Sequence, residues 1–361
     1  MQKISTLQKK LTQRIFGLDL FRSIAIILVV FGHSQDIILS YFKNFHIIPL
    51  PDGVDLFFVL SGFLIGSILI NLFENQKNIT YATLFHFFKR RWYRTLPNYF
   101  LFLLLNIVLI YFGIINGSLN KYLIPFFAFL QNFTKPYDFL FWESWSLSVE
   151  EWFYVLFPLL LFLLYKVTRK KYSVKKIILI GIISFLILPL IYRISQSGRN
   201  LHFDLFFRKL VLTRLDTIGY GLLAAYIRFY YARFWEKSKN ITLTIGIILL
   251  VLLIYTDKNV FFLETFYYSG IGLSLILLLP IFESWKIEKI PWKPFQFISR
   301  ISYSMYLTNL IILQLIVNFF NGLDFKFFIL EYTLFWFFVI LSSYLIYKFY
   351  EKPFMDLRNK L

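Results

Sequence analysis

The chain has 361 residues, of which 58% are hydrophobic and 16% charged, with a mean hydropathy of +0.64 and a formal net charge of +18. That balance excludes a soluble globular protein of this length, and the absence of cysteine excludes disulfides, thiolate nucleophiles and cysteine-ligated metal. The lysines and arginines cluster between apolar runs, where an orientation signal and anionic headgroups account for them and nucleic acid is not needed.

Apolar runs of about 20 residues, the length a helix needs to cross a bilayer, recur along the whole chain. Spans are predicted at 16–38, 54–73, 95–115, 149–167, 176–194, 210–230, 241–256, 262–282, 301–320 and 327–348. The fold class is therefore an all-α integral membrane protein of about ten transmembrane helices. The first run follows lysines as a signal peptide would, but it is long and ends in a poor cleavage site, so it is taken as the first span. The stretch 119–133 is apolar but short, contains Pro125 and ends in Gln131-Asn132, which predicts a re-entrant or interfacial piece. With that piece not crossing, the basic loops Lys3 to Arg14, Lys77 to Arg94, Lys166 to Lys176, Arg228 to Lys239 and Lys286 to Arg300 share one side. The positive-inside rule makes that side cytoplasmic, with both termini on it and the chain multi-pass in a cytoplasmic membrane. A single transmembrane domain over 1–361 with no appended soluble domain is expected. The opposite loop, Arg193 to Lys209, carries Arg199, His202, Asp204, Arg208 and Lys209 and is a candidate mouth for a polar substrate.

Charge inside such runs is costly unless it faces protein or a wet cavity, so it marks candidate sites. In the first span Arg22 and His33 are eleven residues apart, about 16 Å along a helix and close to three turns, so both face one side. A buried imidazole is suited to take a proton from a hydroxyl, although it also serves as packing glue between helices. The second span opens on Gly53-Val54-Asp55, where Asp55 is either a helix cap or the group that orients a catalytic histidine. Gly62 and Gly66 form a small-residue face for close packing.

At the entrance to the third span stand Lys89, Arg90, Arg91 and Arg94. The spacing puts Arg90 and Arg94 on one face, as a clamp for phosphate oxygens or as an ordinary basic collar. The fourth span begins Trp142-Glu143-Ser144-Trp145-Ser146-Leu147-Ser148-Val149-Glu150-Glu151. Ser148 and Glu151 suit a capping box, which leaves Glu150 to polarise His33 or bind a sugar hydroxyl, while Trp145 is a membrane-interface residue or a stacking platform. Arg214 and Asp216 near the start of the sixth span form an ion pair or part of a site, and Ser302, Ser304, Thr308 and Asn309 add polar groups to the ninth. None of the four histidines, His33, His46, His86 and His202, stands three or four residues from another, so no metal is expected.

In this order the stretches LDLFR with ten residues between Arg22 and His33, GVDLFFVLSGFLIG, FKRRWYRTLP, WSLSVEEWFY, RLDTIGYG, ISYSMYLTN and YEKPF resemble acyltransferase family 3, membrane proteins that O-acylate bacterial surface glycans. The resemblance implies acyl transfer, most often O-acetylation, from acetyl-coenzyme A or another acyl-coenzyme A to a cell-surface or lipid-linked carbohydrate. It carries the catalytic Arg and His onto Arg22 and His33, the donor arginines onto Arg90, Arg91 and Arg94 with Lys89 beside them, and the acid onto Glu150. Asp19 of the LDLFR stretch and Asp55 complete the catalytic candidates. Trp145, Ser148, Arg214, Asp216 and Asn309 are the candidates for binding the acceptor. Many family members have histidine where this chain has Asn309, so an amide does that work without titrating. His33 is expected to act as general base or as acyl relay, and the partners are the glycan acceptor and the bilayer, with a homodimer compatible. The alternative is a transporter of a polar solute or lipid-linked sugar with a His33/Glu150 proton relay, although the repeated halves such proteins show are not evident.

Overall fold

A computed structural model describes residues 15–42, 49–76, 78–119, 123–136, 140–285, 293–321 and 325–359. His46, the basic stretch Lys3 to Arg14, Lys77 and Lys286 lie outside the described residues. The long helices are α1 (Phe16–Tyr41), α2 (Gly53–Asn75), α3 (Tyr81–Tyr111), α5 (Ser144–Thr168), α6 (Val174–Gln196), α7 (Val211–Tyr230), α8 (Ala232–Tyr255), α10 (Tyr267–Ser284), α11 (Lys293–Phe320) and α12 (Phe328–Ile346). Short helices α4 (Ile124–Phe127), α9 (Val260–Thr265) and α13 (Lys352–Asn359) connect or end them, and the described residues contain no strand.

Among the described residues nine helices are long and apolar enough to cross a membrane. The predicted sixth span, α7, is 20 residues long but falls outside that group because Arg214, Asp216 and Arg228 dilute its apolar character. It is sealed inside the bundle instead. The predicted eighth span is divided between α9 and α10, and the third begins much earlier than 95. Thr80 starts α3 with a capping box to Thr83, so the basic collar rides on the same rigid helix as the span behind it.

Helices α1, α2, α5, α7 and α11 surround the interior, and α8 and α12 lie at the periphery. Only 11% of the apolar window of α8 is buried, against 61% in α2, so most of its Ile and Leu side chains are left for lipid. The most extensive helix–helix contact joins α2 to α7. A Cβ on Gly62 would fall 2.0 Å from the Ile218 carbonyl oxygen, and one on Gly221 would fall 2.1 Å from that of Val59, so the two backbones meet only because both positions are glycine. The packing role expected of Gly62 and Gly66 is the one observed.

The stretch around 123–136 does not cross. Its short helix α4 and the non-helical backbone after it are held by protein partners, which is what tolerance at membrane depth requires. The Phe126 carbonyl accepts from Tyr99 Oη at 2.8 Å, and the Phe129 carbonyl accepts from Trp152 Nε1 at 2.8 Å and Ser148 Oγ at 2.5 Å. Phe129 sits at φ 57°, a left-handed conformation that costs an ordinary residue ~1–2 kcal/mol and that these two bonds to its carbonyl help hold. Asn132 donates to the Trp145 carbonyl at 2.9 Å and the Lys209 carbonyl at 2.5 Å, tying this piece to the starts of α5 and α7.

Candidate active site

Two cavities meet inside the bundle. The smaller, about 90 Å³, is lined by Arg22 of α1, Ser61 of α2, Arg91 and Arg94 of α3, and Glu150 and Tyr154 of α5. The larger, about 720 Å³, is lined by His33 and Asp36 of α1, by Asp52, and by Trp142, Glu143 and Trp145 at the head of α5. Val54 and Tyr306 border both. The continuous helix α1 therefore presents Arg22 to one cavity and His33 to the other, as their shared face predicts.

In the small cavity Glu150 accepts from Ser61 Oγ at 2.9 Å and from Tyr154 Oη at 2.8 Å. The Arg91 guanidinium lies 4.0 Å from the centre of the Tyr154 ring, and its Nε is buried without a hydrogen-bond partner. The arginines of this helix that line the small cavity are Arg91 and Arg94, not the Arg90 and Arg94 pair that spacing places on one face. Arg90 is exposed, and neither it nor Lys89 lines the cavity, because the helix turns them toward the surface. Beneath the arginines, the π-helical turn Tyr347–Glu351 points Glu351 inward to accept from Ser304 Oγ at 2.7 Å and Asn98 Nδ2 at 3.2 Å.

In the large cavity His33 Nδ1 lies 2.5 Å from Asn309 Oδ1. The carboxylates expected to orient it are engaged elsewhere. Asp55 is ion-paired with Arg214, and Glu150 faces the small cavity. Asp52, not Asp55, caps α2, accepting from the Val54 amide at 2.9 Å. Asn309, a candidate acceptor contact, is buried against His33 and is not among the residues that line the cavity.

The other acceptor candidates separate. Trp145 faces the large cavity, with the Arg208 guanidinium 5.3 Å from its ring centre. Ser148 is buried on the Phe129 carbonyl and caps nothing, since α5 already begins at Ser144. Arg214 and Asp216 are sealed off and do not pair with each other. Arg214 takes Asp55 and sits 3.7 Å from the Tyr268 ring centre, while Asp216 receives Arg193 at 2.8 and 2.6 Å and Ser269 Oγ at 2.8 Å. Asp19 accepts from Ser299 Oγ at 2.7 Å, joining α1 to α11 away from either cavity. Of the loop Arg193 to Lys209, Arg208 and Lys209 reach the large cavity, whereas Arg193 belongs to the sealed interior.

Charge around the large cavity is mostly paired. Arg208 bonds Asp52 and Asp204, each at 2.7 Å, and Lys209 bonds Asp204 at 2.5 Å. Burial opposes ionisation of Asp52, but the Arg208 guanidinium outweighs it and holds the carboxyl below the usual range; Lys209 and Arg208 do the same for Asp204. Glu143, just ahead of α5, has no such cation. Burial pushes its carboxyl up to about 8, and its Oε1 has no hydrogen-bond partner.

Asp52, Glu143, Tyr154 and Tyr306 had no place in the sequence-derived site. Asp52 carried a signal, the Pro-Asp-Gly preceding an apolar run, which marks a helix cap. Tyr306 stands one turn before Asn309, so both share a face of α11.

The family model described as "Acyltransferase domain", that of acyltransferase family 3, matches residues 15–348. The chain belongs to this family. Its relatives include a Staphylococcus aureus (strain COL) protein provisionally named an O-acetyltransferase, 27% identical over 94% of this chain and 57% of its own length. The O-acetyltransferase OatA of Staphylococcus aureus (strain NCTC 8325 / PS 47) is 25% identical over 93% of this chain and 56% of its own. The chain thus spans a little more than half the length of these relatives. No solved structure matches it.

Proposed function

We propose that the protein is a membrane-embedded O-acyltransferase that receives its acyl donor in the small basic cavity and its acceptor hydroxyl in the large one. The observation that carries this reading is the placement of Arg22 and His33 on one helix, in two cavities that share Val54 and Tyr306 as a common border.

An acyl-coenzyme A, acetyl-coenzyme A foremost, fits the donor side. The small cavity suits a slender thioester arm and not a nucleotide, Arg91 keeps a buried donor unused, and Lys89 and Arg90 stand outside where phosphates would lie. When bound, it supplies an activated carbonyl. The chain's own residues do the rest. Arg22, Arg91 and Arg94 bind and orient negative charge, and Glu150 with Tyr154 holds Arg91 in place. His33 removes the proton of the acceptor hydroxyl, whose oxygen bonds the acyl carbon as the C–S bond breaks and coenzyme A leaves as the thiol, or His33 itself displaces that thiol and then yields the acyl group to the acceptor oxygen; both need the same ring nitrogen.

The acceptor cavity, with Trp142 and Trp145 as flat apolar faces and Gln35, Asn116 and Gln314 as amides, suits a carbohydrate presented from the membrane surface. By the positive-inside rule the basic cavity opens toward the cytoplasm and the large one away from it, in a cytoplasmic membrane. Titration of acetyl-coenzyme A into the protein in nanodiscs tests the donor side. Arg91→Ala and Arg94→Ala weaken binding by about tenfold or more, since hydrogen bonds to charged groups contribute ~1.5–3 kcal/mol. Arg90→Ala leaves it near wild type. Equal binding by all four proteins, or none by wild type, overturns the donor assignment.

A further inference from the structure

We propose that Asn309 is a positioning residue that fixes His33 in the tautomer protonated on Nδ1, leaving Nε2 as the atom that reacts. This rests on the reading of His33 as the reactive group. Three distances carry it. Asn309 Oδ1 is 2.5 Å from His33 Nδ1, while Asn309 Nδ2 donates to the Tyr306 carbonyl at 2.7 Å and to the Met305 carbonyl at 2.9 Å. A carbonyl oxygen only accepts, so the amide nitrogen must face those two carbonyls and its oxygen must face the imidazole. Turning the amide over would set oxygen against two carbonyl oxygens and NH₂ against the histidine. With only an acceptor opposite it, Nδ1 carries the proton and Nε2 keeps the lone pair on the ring edge left for the large cavity.

The helix makes the support rigid. Tyr306, one turn earlier, is itself pinned, with its hydroxyl 2.6 Å from Ser146 Oγ and 3.0 Å from the Glu143 carbonyl. An amide also differs from the carboxylates that commonly orient a reactive histidine, because it fixes direction without adding charge. The charges facing His33 come from elsewhere: Asp36 one turn on in α1, Asp52 ahead of α2, and Arg208 between α6 and α7. A carboxylate at 309 would add an opposite charge at hydrogen-bond distance and raise the pH at which the imidazole protonates by ~1–3 units.

Two measurements test this. In the first, nitrogen NMR of the protein with ring-labelled histidine reports the tautomer, with the His33 signal assigned by its loss in His33→Gln. A neutral ring protonated on Nδ1 is expected; protonation on Nε2 overturns the inference. In the second, the acyl-transfer rate is followed against pH. Asn309→Asp is expected to retain turnover and to move the acidic limb up by about one unit or more. Asn309→Leu is expected to lower kcat about tenfold or more with KM little changed, part of the ~10²–10⁴ that a positioned base contributes. Wild-type kcat and pH profile in both variants overturn the inference. Full turnover in His33→Gln would instead remove the reading of His33 as reactive group, with the NMR result still deciding the pairing.

Discussion

Two regions of this bundle bury charge among apolar helices, and they treat it differently. Where α6, α7 and α10 meet, each buried arginine has a carboxylate partner, and the polar atoms left without a hydrogen-bond partner, Arg214 Nε and Thr217 Oγ1, border neither cavity. Arg193 reaches both oxygens of Asp216, the Thr265 carbonyl and Ser269, and Arg214 bonds Asp55 and the Arg208 carbonyl and faces the Tyr268 ring. Where α1, α3, α5 and α11 meet, the polar groups border open space and some capacity is left over, in Arg91 Nε, Glu143 Oε1 and the second ring nitrogen of His33. Charge inside a membrane helix is therefore not a functional signal in itself. Unspent hydrogen-bonding capacity facing a cavity is the sharper one.

Arg193→Leu strands Asp216, and breaking a buried pair in this way costs ~3–5 kcal/mol, so a large fall in thermal stability in detergent is expected. A stable Arg193→Leu protein that had lost only its activity would place this pair in the working region after all. The matching change in the open region is Arg91→Ala, which should raise the donor KM about tenfold or more while moving the unfolding temperature little. A collapse in stability there would erase the distinction between the two regions.

Glu143 has a folded-state pKa of about 8, above its unfolded value, so its contribution to stability is complete below about pH 4.3 and is lost as pH rises through 8. Glu143→Gln should flatten the alkaline loss, which this group can steepen by at most ~1.4 kcal/mol per pH unit. Unfolding temperatures between pH 6 and 9 check this, and equal slopes in both proteins would contradict it. Asp52 works in the opposite sense. Its folded pKa is depressed, so its contribution is complete above about pH 3.9 and is lost as pH falls through the folded value. Asp52 and Arg208 are partly exposed, so Asp52→Asn should flatten the acid loss by only ~0.2–1 kcal/mol.

Much of the fold was legible because lipid enforces simple rules. Helix length and apolarity located every long helix, and the short run with Pro125 and Asn132 was recognisable as a piece that does not cross. Two boundaries were less visible. The third helix starts at Tyr81, because Thr80 caps a polar stretch that hydropathy cannot separate from a loop, and the eighth span breaks after Thr265. The site was half legible. The placement of Arg22 and His33 in the two cavities follows from helical spacing on one element, whereas the arginines facing the small cavity are Arg91 and Arg94 and not the pair Arg90 and Arg94 that spacing puts on one face. The partners of His33, Asp55 and Asp216 come from helices distant in sequence, and only packing decides such pairings. Asn309 meeting His33 across 276 positions is the clearest case.

The most direct test of the account follows acetyl-coenzyme A consumption and thermal unfolding on the same nanodisc preparations of wild type and His33→Gln. The account predicts turnover by wild type, a loss of ~10²-fold or more in the variant, and closely similar unfolding temperatures. Wild-type turnover in His33→Gln would contradict it, because the two cavities would then share a border without the group that joins their chemistry.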